Sequence, residues 1–196
     1  YTLAFLWFEP PVDAFHPLFG YYPGPIYDAV VEIDLQLVAA RVKDVCIAIT
    51  LVGLSGVHFG KQAKELVGWL ALCVGISGYF FAEECDVHRD RDHIARRLGG
   101  VHQTAHARIL YPDSWSADRI EKFAWEIEFA YAELRAFFGF DLSREMIVYA
   151  YPDLKTKKHL MGAGRTRVAK PWQWAFSVHN PKVGDAVTIH EMAHVF

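Results

Sequence analysis

Three residues near the carboxyl end of the sequence have the types and spacing of a metal site. His190 and His194 lie four residues apart in "TIHEMAHVF", and Glu191 directly follows the first histidine. Residues i and i+4 share one face of a helix, so both imidazoles can reach one ion. Zinc favours imidazole nitrogen, and a neighbouring carboxylate can take a proton from a zinc-activated water. The spacing therefore predicts Zn²⁺ ligands at His190 and His194 and a general base at Glu191.

The residues around this motif are apolar or small. From Ala186 to Phe196 the one charged side chain is Glu191, which is typical of a helix buried in a domain. A glutamate and two histidines are costly to bury unless they are paired or bind a metal. The alternative is a core helix whose polar groups are satisfied by hydrogen bonds, and the motif then has no chemical role.

The segments before the motif have the patterns of strands and helices that would position it. Apolar residues at helical spacing between residues 117 and 139 predict a helix with one face packed on a sheet. Ser114 or Ser116 can cap its start and Gly139 its end. Asp153 and Asp185 are predicted to cap two further helices. Strands are predicted at 101–112, 145–152, 165–170 and 171–179, and helices at 117–139, 154–161 and 186–196, in the order β–α–β–α–β–β–α.

The segment "VTIHEMAHVF" resembles the active-site helix of the zincin metallopeptidases. Residues 101–196, with "SADRIEKFAWEIEFAYAELRAFFGF" followed by "MIVYAYP", are similar to bacterial gluzincins of the peptidase MA type. The resemblance implies an α+β fold, the zincin-like upper subdomain, with a mixed sheet, a backing helix and the HExxH active-site helix. The motif alone does not separate gluzincins from the branch that continues HExxHxxGxxH, so this choice depends on the upstream similarity.

The same resemblance implies the roles of the residues in the site. His190 and His194 are the implied zinc ligands, and Glu191 is the implied general base. A third ligand, usually a glutamate on the next helix, and a tyrosine or histidine that stabilises the oxyanion are implied too. Both are expected after Phe196, so we expect residues 1–196 alone to bind zinc weakly and to lack catalytic activity.

A strand before the motif is expected to bind the substrate, because extended peptides add to the edge strand of a sheet by backbone hydrogen bonds. Either "RTRVAK" or "PWQWAFSV" is a candidate, with Trp172 and Trp174 shaping a subsite. Pro171 favours an edge position for the second segment. The alternative is that both tryptophans pack in the core or at an interface. His179, in "VHNP", is interpreted as a turn histidine rather than a member of the site.

Two apolar segments upstream, residues 29–59 and 66–82, predict a helical hairpin. Residues 66–82 contain no charged side chain and are barely long enough to cross a bilayer. The alternative is a pair of core helices in a soluble domain. Lys61 and Lys64 in the predicted connection favour a cytoplasmic connection, which leaves residues 83 onward outside the cytoplasm, on the periplasmic side. Arg41 and Lys43 on the other flank weaken this assignment.

The predicted organisation has three parts. Residues 1–82 form a membrane-associated helical region with an interfacial loop at 9–28, residues 83–100 a charged linker, and residues 101–196 the metallopeptidase domain. A net charge of −3 and the lack of a basic stripe argue against a nucleic-acid partner. The three cysteines have no CxxC spacing and predict no disulfide framework.

The sequence thus predicts a membrane-anchored zinc endopeptidase whose partners are a peptide or protein substrate and the lipid bilayer. One alternative is a catalytically inactive zincin-fold binding or sensing module tethered to the membrane. Another is a structural membrane protein in which HExxH is accidental. Metal content separates the last of these from the other two, and Glu191→Gln separates the peptidase from the inactive module.

Overall fold

The computed structural model describes residues 2–16, 20–22, 34–55 and 61–196. Their contacts divide them into two compact units. The described part of the first unit comprises residues 2, 13–16, 20–22, 34–55 and 61–88, and that of the second comprises residues 3–12 and 89–196. The predicted functional division at residues 82 and 100 stays a prediction, and it differs from this structural division.

The first unit contains two short strands and a helical hairpin. Strands β1 (Ala14–His16) and β2 (Gly20–Tyr22) pair antiparallel within the predicted interfacial loop; residues 17–19 and 23–28 of that loop lie outside the described residues. Helices α2 (Leu35–Ser55) and α3 (Lys61–Glu84) pack against each other. The predicted hairpin is therefore present. Lys61 and Lys64, however, lie in the first turn of α3 and not in the connection.

Small residues allow the two hairpin helices to approach closely. A Cβ atom added at Gly53 would lie 2.3 Å from the Ala71 side chain, and one added at Gly75 would lie 2.4 Å from Thr50 Oγ1. The Thr50 hydroxyl lies 2.7 Å from the Ala71 carbonyl oxygen on the facing helix. Close packing through small residues is typical of helices in membranes.

Many of the described apolar side chains of the hairpin are exposed. Among the described residues, one helix is long and apolar enough to cross a membrane by length and composition, the segment Leu66–Glu84 of α3 with mean hydropathy 1.6. Helix α2 carries Arg41, Lys43 and Asp44 in its first half. Large apolar side chains are exposed on both helices, among them Leu51, Val52, Leu66, Trp69 and Phe80.

The second unit is built on a mixed five-stranded sheet, and seven α-helices occur in the described part of the chain. The predicted α+β class and mixed sheet are therefore confirmed. The strand order is β3-β4-β5-β7-β6, with β4, β5 and β7 parallel and both outer strands antiparallel to their neighbours. The strands are β3 (Gly99–Gln103), β4 (Ala107–Pro112), β5 (Met146–Tyr151), β6 (Val168–Lys170) and β7 (Ala175–His179).

Alternating side chains of the strands contribute to two cores, one on each face of the sheet. In β5, Val148 packs in one core and Tyr149 in the other. The long helix α5 (Ala117–Phe138) contributes seven buried side chains to the first core, which confirms the predicted backing helix. The helices of this unit are α1 (Thr2–Phe8, apart from its first residue), α4 (Arg91–Leu98), α5 (Ala117–Phe138), α6 (Leu154–Met161) and α7 (Ala186–Ala193).

Short polar side chains fix the ends of these helices. Ser116, Asp153 and Asp185 accept hydrogen bonds from backbone amides in the first turns of α5, α6 and α7, as predicted. Gly139 ends α5 in the left-handed conformation, with φ +76°, which glycine adopts at little cost.

The strand predicted at 101–112 is wrong, because the structure has the hairpin β3–β4 there. Thr104 Oγ1 accepts a hydrogen bond from the Ala107 backbone amide at 2.9 Å. The Glu128 carboxylate of α5 accepts one from the His106 amide at 3.0 Å. These two side chains stabilise a turn that the alternating pattern does not reveal.

The strand predicted at 171–179 begins at Ala175 in the structure, later than predicted. Pro171–Gln173 form a 3-10 turn, and Trp174 has a φ of 55° that ends it. Strand β7 then lies between β5 and β6, so "PWQWAFSV" is not the edge strand. The edge strand comes from "RTRVAK", of which residues 168–170 form β6.

Candidate metal centre

Helix α7 carries the predicted site and is held by its apolar face. Its amino end is capped by Asp185, whose carboxylate accepts a hydrogen bond from the Val187 amide at 3.1 Å. The helix packs against α5 and against strands β7 and β6. Met192 and, just after the helix, Val195 are buried in the core shared with α5. These contacts fix the direction in which the opposite face of the helix points.

The two histidines of the motif are close together, although α7 ends at Ala193 rather than at the predicted Phe196, so that His194 is the residue that follows the helix. His190 Nε2 lies 3.2 Å from His194 Nε2, and both rings are exposed. Two nitrogen ligands at about 2.0–2.1 Å from a tetrahedral zinc lie about 3.3 Å apart. The two donor atoms are thus at the separation that a shared ion requires. The same distance fits a hydrogen bond between one protonated and one unprotonated ring nitrogen, so zinc binding is the discriminating measurement.

Glu191 lies beside the histidine pair but is buried, with 4% of its surface exposed. Burial raises the pKa of Glu191, and the charges of His190, His194, Lys157 and Arg167 oppose this shift. A carboxylate whose pKa is raised from its ordinary value is a stronger proton acceptor near neutral pH. The electrostatic surroundings therefore suit the predicted role as a general base.

Within residues 2–16, 20–22, 34–55 and 61–196, no group of three or more histidine, cysteine, aspartate or glutamate side chains could hold a metal ion. Of the predicted zinc ligands, the described residues contain His190 and His194. The expected third ligand stays a prediction. Imidazole is the donor that zinc prefers in such sites, so the two side chains present fit that ion in chemistry and in spacing.

No family model, curated protein or solved structure matches this chain. The likeness to zincins therefore stays a resemblance in the motif and its preceding segments, and every functional statement below depends on the residues of this chain.

The two predicted substrate-binding tryptophans contact different parts of the second unit. The Trp172 ring stacks on Trp7, with centroids 4.8 Å apart, and its Nε1 donates a hydrogen bond to the Trp7 carbonyl at 2.7 Å. Trp174 packs against the core that includes α5 and α7. The structure does not bring the pair together, and their role in substrate binding stays a prediction.

A pocket of about 240 Å³ lies at the amino end of α7. His179 lines it, whereas His190, Glu191 and His194 do not. Burial lowers the pKa of His179, and the positive charges of Lys157 and Arg167 lower it further. His179 is the last residue of β7, and its predicted exclusion from the site stays a prediction. The sequence pattern does not reveal this pocket or the position of Lys157 and Arg167 near His179, because these residues are distant from one another in the chain.

Glu126, on the face of α5 toward the start of α7, was also missed. Burial raises the pKa of Glu126, and the nearby Asp185 carboxylate raises it too, although the Thr188 hydroxyl and the Gly184 amide favour the ionised form. Glu126 Oε2 is buried and has no hydrogen-bond partner among the described residues. The ionised carboxylate is therefore disfavoured in the folded chain.

This burial leads to a pH-dependent prediction. A carboxyl whose pKa is raised by folding adds stability below its unfolded pKa, and that contribution is lost as the pH rises through its folded pKa. Glu126→Gln cannot ionise, so it is expected to raise the melting temperature at about pH 7, with the gain disappearing near pH 4, where the wild-type carboxyl is protonated. Thermal unfolding at the two pH values tests this, with the exposed Glu121→Gln of the same helix as control. A gain equal at both pH values would contradict the prediction.

Proposed function

We propose that this chain is the HExxH-bearing part of a membrane-associated zinc metallopeptidase that hydrolyses bonds in a peptide or protein substrate. The observation that carries the proposal is the 3.2 Å distance between the Nε2 atoms of His190 and His194. His190 lies in α7 and His194 caps the end of that helix, and the other face of the helix is packed in the core, so the geometry is set by the fold.

The chemistry is divided between the ion and the protein. When bound, zinc would polarise the substrate carbonyl and lower the pKa of a water molecule to about 7. His190 and His194 would hold the ion. Glu191 follows His190 directly in the helix, and its carboxylate is the group that accepts a proton and passes it to the leaving amine.

The sheet supports the proposal by offering an edge strand next to the site helix. Strand β6 is the terminal strand of the described sheet and pairs with β7 on one side, and α7 contacts both strands. An extended peptide can add to such an edge by backbone hydrogen bonds. Trp174, which packs against the core shared with α7, is the better placed of the two tryptophans to shape a subsite there.

The proposed location is the membrane, with the second unit outside the cytoplasm on the periplasmic side. The length and apolar composition of Leu66–Glu84 support a membrane span. Lys61 and Lys64 precede this segment in α3, and cationic residues favour the cytoplasmic end of a span.

Zinc binding tests the proposal directly. The chain expressed with any residues that its gene encodes after Phe196 is expected to bind zinc, because residues 1–196 alone are expected to bind it weakly. His190→Ala and His194→Ala are each expected to abolish binding, because a single imidazole is a poor zinc site. Calorimetric titration of each variant measures this. His159→Ala removes an exposed histidine from α6 and serves as the matched control, which is expected to bind as the wild type does.

The outcomes separate the readings of the motif. If zinc does not bind, or if neither substitution changes its binding, the two histidines are joined by a hydrogen bond and the motif is accidental. Zinc binding that depends on both histidines, without hydrolysis by any form of the protein, would favour the inactive binding or sensing module.

A further inference from the structure

The segment of residues 3–12 is fixed to the second unit by a dense set of hydrogen bonds. Lys170, at the end of β6, is 6% exposed. Its ammonium donates to the backbone carbonyls of Leu6 at 3.0 Å, Glu9 at 2.6 Å and Pro11 at 2.9 Å. The Val12 amide donates to the Met161 carbonyl at 2.9 Å. The carboxyl end of α1 is therefore part of this unit.

This attachment presents an aromatic surface to solvent. Trp7 and Trp172 are stacked, and they remain 55% and 47% exposed. Phe8, the last residue of α1, is 66% exposed. Helix α1 contains no charged residue. Stacked tryptophans with one apolar face and one polar edge are the side chains that collect at the boundary between lipid and water.

The helices on the same side of the sheet are basic. Val12, α4 and α6 all pack in the core on this face. Residues 90–98 hold three arginines against two aspartates. Residues 153–161 hold Lys155 and Lys158 against Asp153 outside the core, since Lys157 is fully buried. On the opposite face, α5 has five acidic and three basic residues, and residues 185–193 have two acidic residues and no lysine or arginine. The aromatic surface thus lies on the basic face of the unit.

We propose that this face binds the surface of a bilayer that contains anionic lipids, with Trp7, Phe8 and Trp172 at the level of the headgroups. Aromatic side chains beside lysine and arginine are the composition of interfacial anchors, and anionic lipids attract basic surfaces. The opposite, acidic face bears His190 and His194 and stays toward water. The proposal gives Trp172 a role at the lipid surface, and it does not depend on zinc binding or hydrolysis.

Tryptophan quenching by lipids with brominated chains tests this surface. The full chain is reconstituted in vesicles of brominated phosphatidylglycerol, and Trp172→Phe is compared with Trp125→Phe. Trp125 lies on α5 and is 76% exposed, so it is a matched tryptophan on the opposite face. Trp172→Phe is expected to remove bromine-quenched emission, whereas Trp125→Phe is expected to remove emission that bromine does not quench.

The same vesicles test whether the basic helices are attracted to anionic lipids. Replacing phosphatidylglycerol by phosphatidylcholine, or raising the salt concentration, is expected to reduce the quenching assigned to Trp172. Removal of unquenched emission by Trp172→Phe would overturn the proposal. The proposal would also be overturned if Trp172 were shielded from aqueous iodide but not quenched by bromine. A second copy of the chain or another protein would then cover the surface. If the quenching does not depend on lipid charge or on salt concentration, the proposed attraction of the basic helices to anionic lipids is wrong.

Discussion

Replacing Glu191 by glutamine is expected to lower the rate of peptide hydrolysis by about 10²–10⁴-fold, the usual contribution of a general base, while zinc affinity is retained. The amide has the shape of the carboxylate but cannot accept the proton. Glutamine also suits a site that is 4% exposed, because it avoids burying a charge. The measurement is kcat/KM with an unstructured peptide, on the zinc-loaded chain expressed with any residues that its gene encodes after Phe196.

A second, half-buried glutamate provides the control. Glu126→Gln changes the same chemical group on α5, and Glu126 is not adjacent to either histidine in the sequence. It is expected to leave kcat/KM nearly unchanged. An unchanged rate in Glu191→Gln would end the proposed mechanism. Joint loss of rate and zinc in that variant would assign Glu191 to holding the site together rather than to proton transfer.

Features that depend on neighbours in the chain could be predicted from the sequence. The i and i+4 spacing placed His190 and His194 on one helix face, and the structure confirms that their Nε2 atoms approach. The start of α5 was predicted at Ser114 or Ser116 and its end at Gly139, and the structure has Ser116 and Gly139 in these positions. Caps and periodicity act over one or two helical turns, so the local sequence carries the information.

Features that depend on distant residues could not be predicted. The turn after β3 is stabilised by Glu128, which lies 22 residues beyond His106. Strand β7 lies inside the sheet although a proline precedes it, because the 3-10 turn at Pro171–Gln173 places that proline outside the strand. Alternation of apolar residues identifies a strand but does not specify its neighbours.

The surroundings of the candidate metal site also depend on residues that are distant in the chain. The motif predicts which residues would hold zinc and move a proton, but Lys157 and Arg167 affect the pKa of Glu191 from other elements. Their contribution arises only when α6 and the segment before β6 pack near α7. Lys170 is the extreme case, because its three carbonyl partners lie 159 to 164 residues earlier in the chain.

Replacing Lys170 by methionine is expected to lower the free energy of unfolding of the second unit by about 3 kcal/mol. Hydrogen bonds to charged groups contribute about 1.5–3 kcal/mol each, and part of the loss is recovered when the released carbonyls are hydrated. Methionine retains the apolar stem, so the change isolates the ammonium. Gln173 Nε2 still donates to the Trp7 and Glu9 carbonyls, which limits the loss.

Hydrogen exchange of the Val12 amide gives the local readout, because this amide bonds to the Met161 carbonyl only while the segment is attached. Exchange is expected to accelerate in Lys170→Met and to stay unchanged in Lys155→Met, which removes an exposed lysine from α6. Equal exchange in the two variants would show that the hydrogen bonds from Lys170 to the three carbonyls do not attach the segment to the second unit. The substitution also bears on the surface that we propose binds lipid, since Trp7 stacks on Trp172 only while residues 3–12 stay in place. Lys170→Met should therefore reduce the lipid quenching of Trp172 in proportion to the fraction of detached segment.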